Sequence, residues 1–320
     1  MTVGIAVVGT DHGHVVELTQ QLVGAGAEVR AVVATDDGIG PWLASQYPDA
    51  RTADPHAADV DVVVTAAVPS ARAQITIDAL RAGKMVVADK PGVTTPDQLA
   101  AVREAVEQSG QRWLVVFGER LGNPAMLKAE EIVGTGRLGT VVHIVGLAPH
   151  TLNLKHRPQW FFDPVQYGGI LTDIGTHQVD QFLAFTGAPS AEVVAATVRS
   201  HDEHPGVQVL GEMLLRAPDG RTGYARVDYF TPKGLGAWGD VRLTVVGTLG
   251  TLEVQAVGNT VTVVDAERVE TVDANATPIT WADAVVRGDM PVAQSHVLAV
   301  HDACLHAQAL ADASASRTRL

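Results

Sequence analysis

Asp173 and His177 stand four residues apart in the run Gly168-Gly169-Ile170-Leu171-Thr172-Asp173-Ile174-Gly175-Thr176-His177-Gln178-Val179-Asp180. On a helix that spacing points both side chains along one face, and Gly169 and Gly175 let another backbone or a flat ligand come close. A carboxylate near an imidazole stabilises the protonated ring and can orient it, which suits a histidine that exchanges a proton near neutral pH. By itself the pair reads equally as a contact on a helix surface. Lys90, within Asp89-Lys90-Pro91, is one of only five lysines in the chain and follows an apolar stretch. There it sets an ammonium at the carboxyl edge of a predicted parallel sheet, where open α/β folds bind ligands. The alternative is a surface lysine at a strand end.

Gly9-Thr10-Asp11-His12-Gly13-His14 joins the first predicted strand to the first helix. A dinucleotide fold needs small residues at this turn, so that backbone N–H groups can approach a pyrophosphate. Gly9 fits the first glycine of G-x-G-x-x-G, while Asp11 and His14 stand at the second and third. An aspartate beside a pyrophosphate is repelled unless its side chain points away. The turn reads also as an ordinary strand-helix connection with solvated histidines. A metal held by His12 and His14 is a third reading, and because no carboxylate or cysteine pattern completes the ligands the expectation is no metal. The second strand ends Ala34-Thr35-Asp36-Asp37. Thr35 occupies the usual acidic position, and Asp36 is then the nearest carboxylate for a ribose hydroxyl. With no arginine or lysine adjoining, NAD is favoured over NADP. Asp36 and Asp37 read equally as simple loop acids.

Something must position these groups, and the first 118 residues repeat one rhythm. Short Val/Ala-rich runs end at small or acidic residues and are followed by amphipathic stretches of helical period, the pattern of a parallel sheet covered on both faces. Strands are expected at Val3 to Val8, Val29 to Ala34, Val60 to Ala66, Met85 to Ala88 and Trp113 to Phe117. Helices are expected to start near Val15, Gly40, Ala73 and Thr95, with Thr95-Pro96 as N-cap and first helical residue. After a helix at Asn123 to Val133 and a strand at Val141 to Gly146, residues His150 to Gly169 hold four aromatics and two histidines with neither periodicity, a long loop of the kind that is often functional. Within it His150, His156 and Trp160 suit hydroxyl recognition and packing on a ring face; loop-core packing and solvated histidines account for them equally. A helix from Asp173 to Phe185 precedes alternating stretches, beginning at Glu192, that read as an antiparallel sheet, and a helix from about Val292 to Ala313 closes the chain. The fold class is α/β plus α+β: an N-terminal Rossmann parallel sheet over 1–118 and a C-terminal open, mainly antiparallel sheet domain over 119–320.

With 320 residues, 46% of them hydrophobic, the chain can bury the cores of two domains. A net charge of -13 with no Lys/Arg cluster repels a phosphate backbone, so nucleic acid is excluded as a partner. The single cysteine, Cys304, can build neither an internal disulfide nor a cysteine zinc site, which fits a reducing compartment. No apolar run approaches the roughly 20 residues of a membrane span and no basic leader precedes the first strand. The expected location is the cytoplasm, away from membranes.

Together these segments resemble the Gfo/Idh/MocA family, named for glucose-fructose oxidoreductase, inositol dehydrogenase and a rhizopine catabolism protein. The resemblance rests on the turn at Gly9, on Asp89-Lys90-Pro91 in place of Glu-Lys-Pro, and on the Gly-Gly…Asp-x-Gly-x-His-x-x-Asp run. Glu119-Arg120 with Asn123-Pro124, and Val246-Gly247-Thr248-Leu249-Gly250-Thr251, are similar to further family segments. Pro69-Ser70-Ala71-Arg72-Ala73 departs from its Pro-Asn-x-x-His turn. The resemblance implies catalysis by Lys90, Asp173 and His177, with hydride transfer between nicotinamide and a carbinol or carbonyl carbon of a sugar, cyclitol or related polyol. It implies cofactor contacts at Gly9, Thr10, Asp11, His12, Gly13, His14, Thr35, Asp36, Val68, Pro69, Asp89 and Lys90. Substrate contacts would come from Lys90, Arg120, His150, His156, Trp160, Asp173 and His177, although Arg120 reads also as a partner of nearby acids. The family's open sheet commonly packs on its mate, so a homodimer or homotetramer is expected. Two other uses of the same fold stay open: a lyase or glycosidase-like enzyme that removes and returns a hydride on bound NAD, and a non-catalytic ligand sensor.

Overall fold

The computed structural model describes residues 2–35 and 38–317, so the expectation placed on Asp36 lies outside the described residues. The chain gathers into two compact units. One draws on the chain up to Val116 with Val165–Gly168 and Thr280–Leu298; the other comprises Phe117–Pro164, Gly169–Ile279 and the chain from Ala299 onward.

In the first unit β1 (Gly4–Val8), α1 (His14–Gly24), β2 (Glu28–Val33), α2 (Ile39–Gln46), β3 (Val62–Thr65), α3 (Pro69–Arg81), β4 (Met85–Asp89), α4 (Pro96–Ser109) and β5 (Trp113–Val116) alternate as the sequence rhythm requires. All pairings are parallel, in the order β2-β1-β3-β4-β5. Every residue of β3, β4 and β5 is buried, which is why these strands read as unbroken apolar runs. Because the order reverses at β1, the carboxyl ends of β1 and β3 flank the switch point where such sheets bind ligands. Thr95 caps α4 as expected, its Oγ1 accepting the Gln98 N–H at 3.2 Å, and Gly110 ends that helix at φ 65°. The start of α3 differs from expectation: it lies at Pro69 instead of near Ala73, since Val68 is extended and proline's fixed φ suits the first helical position.

In the second unit, α5 (Gly118–Leu121), α6 (Pro124–Gly134) and β6 (Val141–Pro149) lead to the aromatic loop. That loop is more ordered than its sequence suggested, with 3₁₀ turns at Leu154–His156 and Gln159–Phe162 followed by α7 (Pro164–Tyr167). The helix expected from Asp173 is two, α8 (Ile170–Asp173) and α9 (Gly175–Thr186). They join through Ile174, whose φ of -80° and ψ of -35° keep the helical sense. There follow β7 (Glu192–Ser200), β8 (Gln208–Arg216), β9 (Thr222–Asp228), β10 (Arg242–Gly247), β11 (Gly250–Gln255), β12 (Thr260–Asp265), β13 (Val269–Asp273), α10 (Trp281–Val286) and α11 (Gln294–Arg317). Eight strands form one sheet in the order β13-β12-β11-β10-β6-β9-β8-β7. It is antiparallel except at its centre, where β6 and β9 run parallel, as the long intervening connection through α8 and α9 allows. Two glycines bring α9 close to this pair: a Cβ on Gly146 would lie 2.0 Å from Gln178 Oε1, and one on Gly223 would lie 2.6 Å from the Phe182 ring. Edge strand β13 and helix α10 were not anticipated, being too short to establish a period.

Candidate functional site

At the carboxyl edge of the first sheet, Gly9 turns the chain with φ 78°, and a Cβ there would lie 2.4 Å from Ala67 Cβ, so only glycine fits. The Gly9 N–H donates to Val33 O and the His12 N–H to Ala66 O, tying the turn to the ends of β2 and β3. Asp11 faces away from any anion at the α1 end. Its Oδ2 accepts the Thr35 hydroxyl at 2.5 Å and the Val68 N–H at 3.2 Å, while Thr35 Oγ1 accepts the Thr10 N–H at 2.9 Å. The residue that breaks the glycine pattern therefore holds the turn together, and Thr35 belongs to the same knot. The N-cap residue of α1 is Gly13, which has no side chain to cap it. Gly13 leaves open space at this end, where even an added Cβ would meet nothing within 4 Å, and the positive end of the α1 dipole faces it, so the residues present fit a dinucleotide's pyrophosphate.

β4 carries Asp89 and Lys90 to the same edge. Asp89 is 2% exposed, with Oδ1 at 2.9 Å from His14 Nδ1 and Oδ2 at 3.2 Å from His12 Nδ1. Arg72 completes the group. Its guanidinium, 1% exposed, donates from Nη2 to Asp89 Oδ2 at 3.0 Å, from Nε to Ala67 O at 2.7 Å, and from Nη1 to the carbonyls of Asp89, Lys90 and Pro91. Burial opposes ionisation of Asp89, but the charges of His14 and Arg72 and the contacts from both imidazoles hold its carboxyl well below the usual range. Burial, with His14 beside it, pushes the His12 imidazole down to about 4 against the pull of Asp89. Arg72 is not among the site residues expected from the sequence, where it stands only inside a turn that departs from a family pattern. The available signal was a cation on the face of α3 that also carries Ala73, Thr76 and Leu80, all buried.

In the second unit, Gly169 (φ 86°) opens α8, and a Cβ there would lie 2.3 Å from Gln308. Two glutamines seat the helix start: Ile170 N–H donates to Gln208 Oε1 at 2.8 Å and Leu171 N–H to Gln308 Oε1 at 3.0 Å. Asp173 and His177 follow one turn apart, 9% and 5% exposed, so neither is a residue of the open helix surface. Arg120, buried, grips both oxygens of Asp180 at 2.8 Å and reaches Glu130 at 2.9 Å. Of the two readings of Arg120, the partner of nearby acids is the one whose contacts are present. His150 Nε2 lies 3.6 Å from Glu119, whose other oxygen accepts from Gln178 at 2.8 Å and Gln181 at 3.2 Å. His156 is exposed, and Trp160 is buried in its 3₁₀ turn.

The site residues thus fall into two groups, one on each unit. Gly9 to His14, Thr35, Val68, Pro69, Asp89 and Lys90 share the sheet edge of the first; Asp173, His177, Arg120, His150, His156 and Trp160 belong to the second. Residues 3–117 match the model of the oxidoreductase family with NAD-binding Rossmann fold, and residues 126–253 that of the GFO/IDH/MocA C-terminal domain. The chain is similar to inositol 2-dehydrogenase 1 of Saccharopolyspora erythraea, 30% identical over 96% of this chain and 94% of the relative. Among solved structures it is similar to a protein from Erwinia carotovora atroseptica assigned to the oxidoreductases, with TM-score 0.93 and 34% identity over 97% of this chain and 99% of that one. A levoglucosan dehydrogenase solved with NADH and L-sorbose shares the fold, with TM-score 0.81 and 18% identity over 97% of both chains. Matching family models in order on both units, and a relative spanning nearly the whole length, make this chain a member of the Gfo/Idh/MocA oxidoreductase family.

Proposed function

We propose that the protein is a dehydrogenase acting on a secondary alcohol, or the corresponding ketone, of a sugar, cyclitol or related polyol, with NAD preferred to NADP. The observation that carries this reading is the sharing of one sheet edge by the Gly9–His14 turn and Lys90, a buried lysine whose flanking carbonyls are gripped by Arg72. Bound nicotinamide would supply the hydride acceptor or donor. The turn from Thr10 to Gly13 and the positive end of α1 would hold the pyrophosphate, with Thr35, Val68 and Pro69 around the rest of the dinucleotide. His177 takes the hydroxyl proton as general base, Asp173 orients its imidazole, and Lys90 donates to the same oxygen and stabilises the charge that develops there. The relatives' names, inositol 2-dehydrogenase and levoglucosan dehydrogenase, support the polyol class. Among the described residues no helix is long and apolar enough to cross a membrane. The reading assigns the enzyme to the cytoplasm, in keeping with a single, buried cysteine.

Calorimetric titration with NAD, NADH, NADP and NADPH, followed by kinetics on a panel of cyclitols and sugars, tests the reading. Expected are dinucleotide binding, turnover of at least one polyol, and a larger kcat/KM with NAD. Absence of any dinucleotide binding up to millimolar concentration overturns the function, and a larger kcat/KM with NADP overturns the preference.

A further inference from the structure

The side chains of His12, His14 and Asp89, expected near the cofactor, converge on one another, and no proton or hydride step of the proposed dehydrogenation uses that convergence. The two histidines are separated by one residue in the turn after β1, and their rings meet edge-on at 87° with centroids 4.1 Å apart. Asp89 ends β4, on the far side of β3 from β1, so the parallel sheet brings together ligands that lie 75 residues apart in sequence. One ligand atom from each residue, two imidazole nitrogens and a carboxylate oxygen, falls within 4.8 Å of the others. In sequence the H-x-H pair lacked a carboxylate; the fold supplies one.

We propose that His12 Nδ1, His14 Nδ1 and the Asp89 carboxylate form a site for one divalent transition-metal ion of the zinc class. Four lines of chemistry support it. Ligand atoms bound at the usual ~2.0–2.1 Å around a tetrahedral ion are about 3.3 Å apart, and here His14 Nδ1 lies 2.9 Å from Oδ1 and His12 Nδ1 3.2 Å from Oδ2 of the one carboxylate, with one ligand atom of each residue within 4.8 Å of the others. Arg72 holds Asp89 by Oδ2 and fixes the direction of the carboxylate, as outer partners of metal ligands do. Both imidazoles present the same nitrogen, Nδ1, to Asp89, so one carboxylate serves the two rings. Two imidazoles with a single carboxylate select a borderline ion over magnesium or calcium, which prefer all-oxygen shells. Three protein ligands leave a coordination position open to water or an oxygen ligand. The Arg72–Asp89 pair is neutral overall, so an anionic oxygen in that position offsets the ion's charge.

The test uses the full chain, freed of metal with chelator and without dinucleotide. Zinc binding is measured by calorimetry and by metal analysis after equilibrium dialysis, and cobalt binding by visible absorption. The double variant His12→Ala/His14→Ala serves as control for other surface histidines. Expected is one equivalent more in the wild type than in the double variant, with a cobalt spectrum of low coordination number. His14→Ala alone, at a side chain 46% exposed and so safe for folding, weakens binding by about 10- to 100-fold or more. Equal stoichiometry and affinity in wild type and His14→Ala, or no zinc bound by the wild type at millimolar concentration, overturns the site. NAD titration of the same chelated protein reads the oxidoreductase assignment separately, so either idea can fail alone.

Discussion

His177, 5% exposed on α9, is the side chain on which the proposed chemistry turns. His177→Ala should lower kcat by roughly 10²- to 10⁴-fold, the range for a positioned general base, and leave the dinucleotide Kd nearly unchanged. Lys90→Met should cost a similar order because it removes a donor from the reacting oxygen. Steady-state kinetics with separate dinucleotide titrations on folded variants checks both; near wild-type kcat in His177→Ala would remove it as the base. At this scale the sequence was legible where a residue type is scarce in its setting. Lys90 stood out among five lysines, and Asp173 and His177 by their spacing of four; all three side chains are buried, as surface residues would not be. Arg72 and the true task of Asp11 were not legible. Each acts through partners distant in sequence, Asp89 for the one and Thr35 and Val68 for the other. The missing carboxylate beside His12 and His14 escaped for the same reason.

Elements with a clear period were readable almost to the residue, such as β4 and β5 or the capped α4, because full burial or a cap leaves a local mark. What could not be read is pairing. The parallel contact of β6 with β9 depends on how the connection through α8 and α9 packs, and no strand states its partner. Ion pairs between elements are likewise invisible until the fold is known. The bidentate contact of Arg120 (α5) with Asp180 (α9) is fully enclosed, and burial there is outweighed by Asp180 and Glu130, which raise the hold of Arg120 on its proton. Asp180→Asn leaves a buried guanidinium without its main counter-charge, and should destabilise the protein by about 3–5 kcal/mol in denaturant unfolding. A second element-scale pair acts at the β12–β13 hairpin. Asp265 accepts the backbone N–H groups of Glu267 and Arg268 and a bond from Arg137, which together lower its carboxyl to about 2. A depressed folded value contributes stability above the ordinary carboxylate value, and that contribution is lost as pH falls from 3.8 toward 2. In Arg137→Ala the Asp265 midpoint, followed by carboxyl NMR, should rise and the acid-induced loss over that window should shrink. An unmoved midpoint would show that the backbone donors alone set it.

For the molecule as a whole, composition told of two packed cores, which the two compact units bear out, while the number of copies that work together depends on an exposed face. On the side of the second sheet away from its core, Leu214, Tyr224 and Val145 are direct cross-strand neighbours on β8, β9 and β6. Leu214 is 44% exposed although the strand's alternate residues, Met213 and Leu215, are buried. The next row carries Glu212, Arg226 and Leu147, so an apolar stripe is bordered by charge. Tyr224 donates to Glu212 at the junction, where burial and that bond push the phenol up to about 12. A stripe of this kind, apolar at the centre and polar at the rim, has the make-up of a subunit interface, and a two-fold pairing would lay it against itself. Light scattering coupled to size exclusion should therefore give a mass of two or four chains. Leu214→Glu sets a charge in the middle of the stripe on a solvent-facing position, so it should dissociate the assembly by several-fold or more in Kd while leaving the fold, judged by circular dichroism, intact. A wild-type mass of one chain at micromolar concentration, or an unchanged assembly in Leu214→Glu, would mean that this face is not the interface.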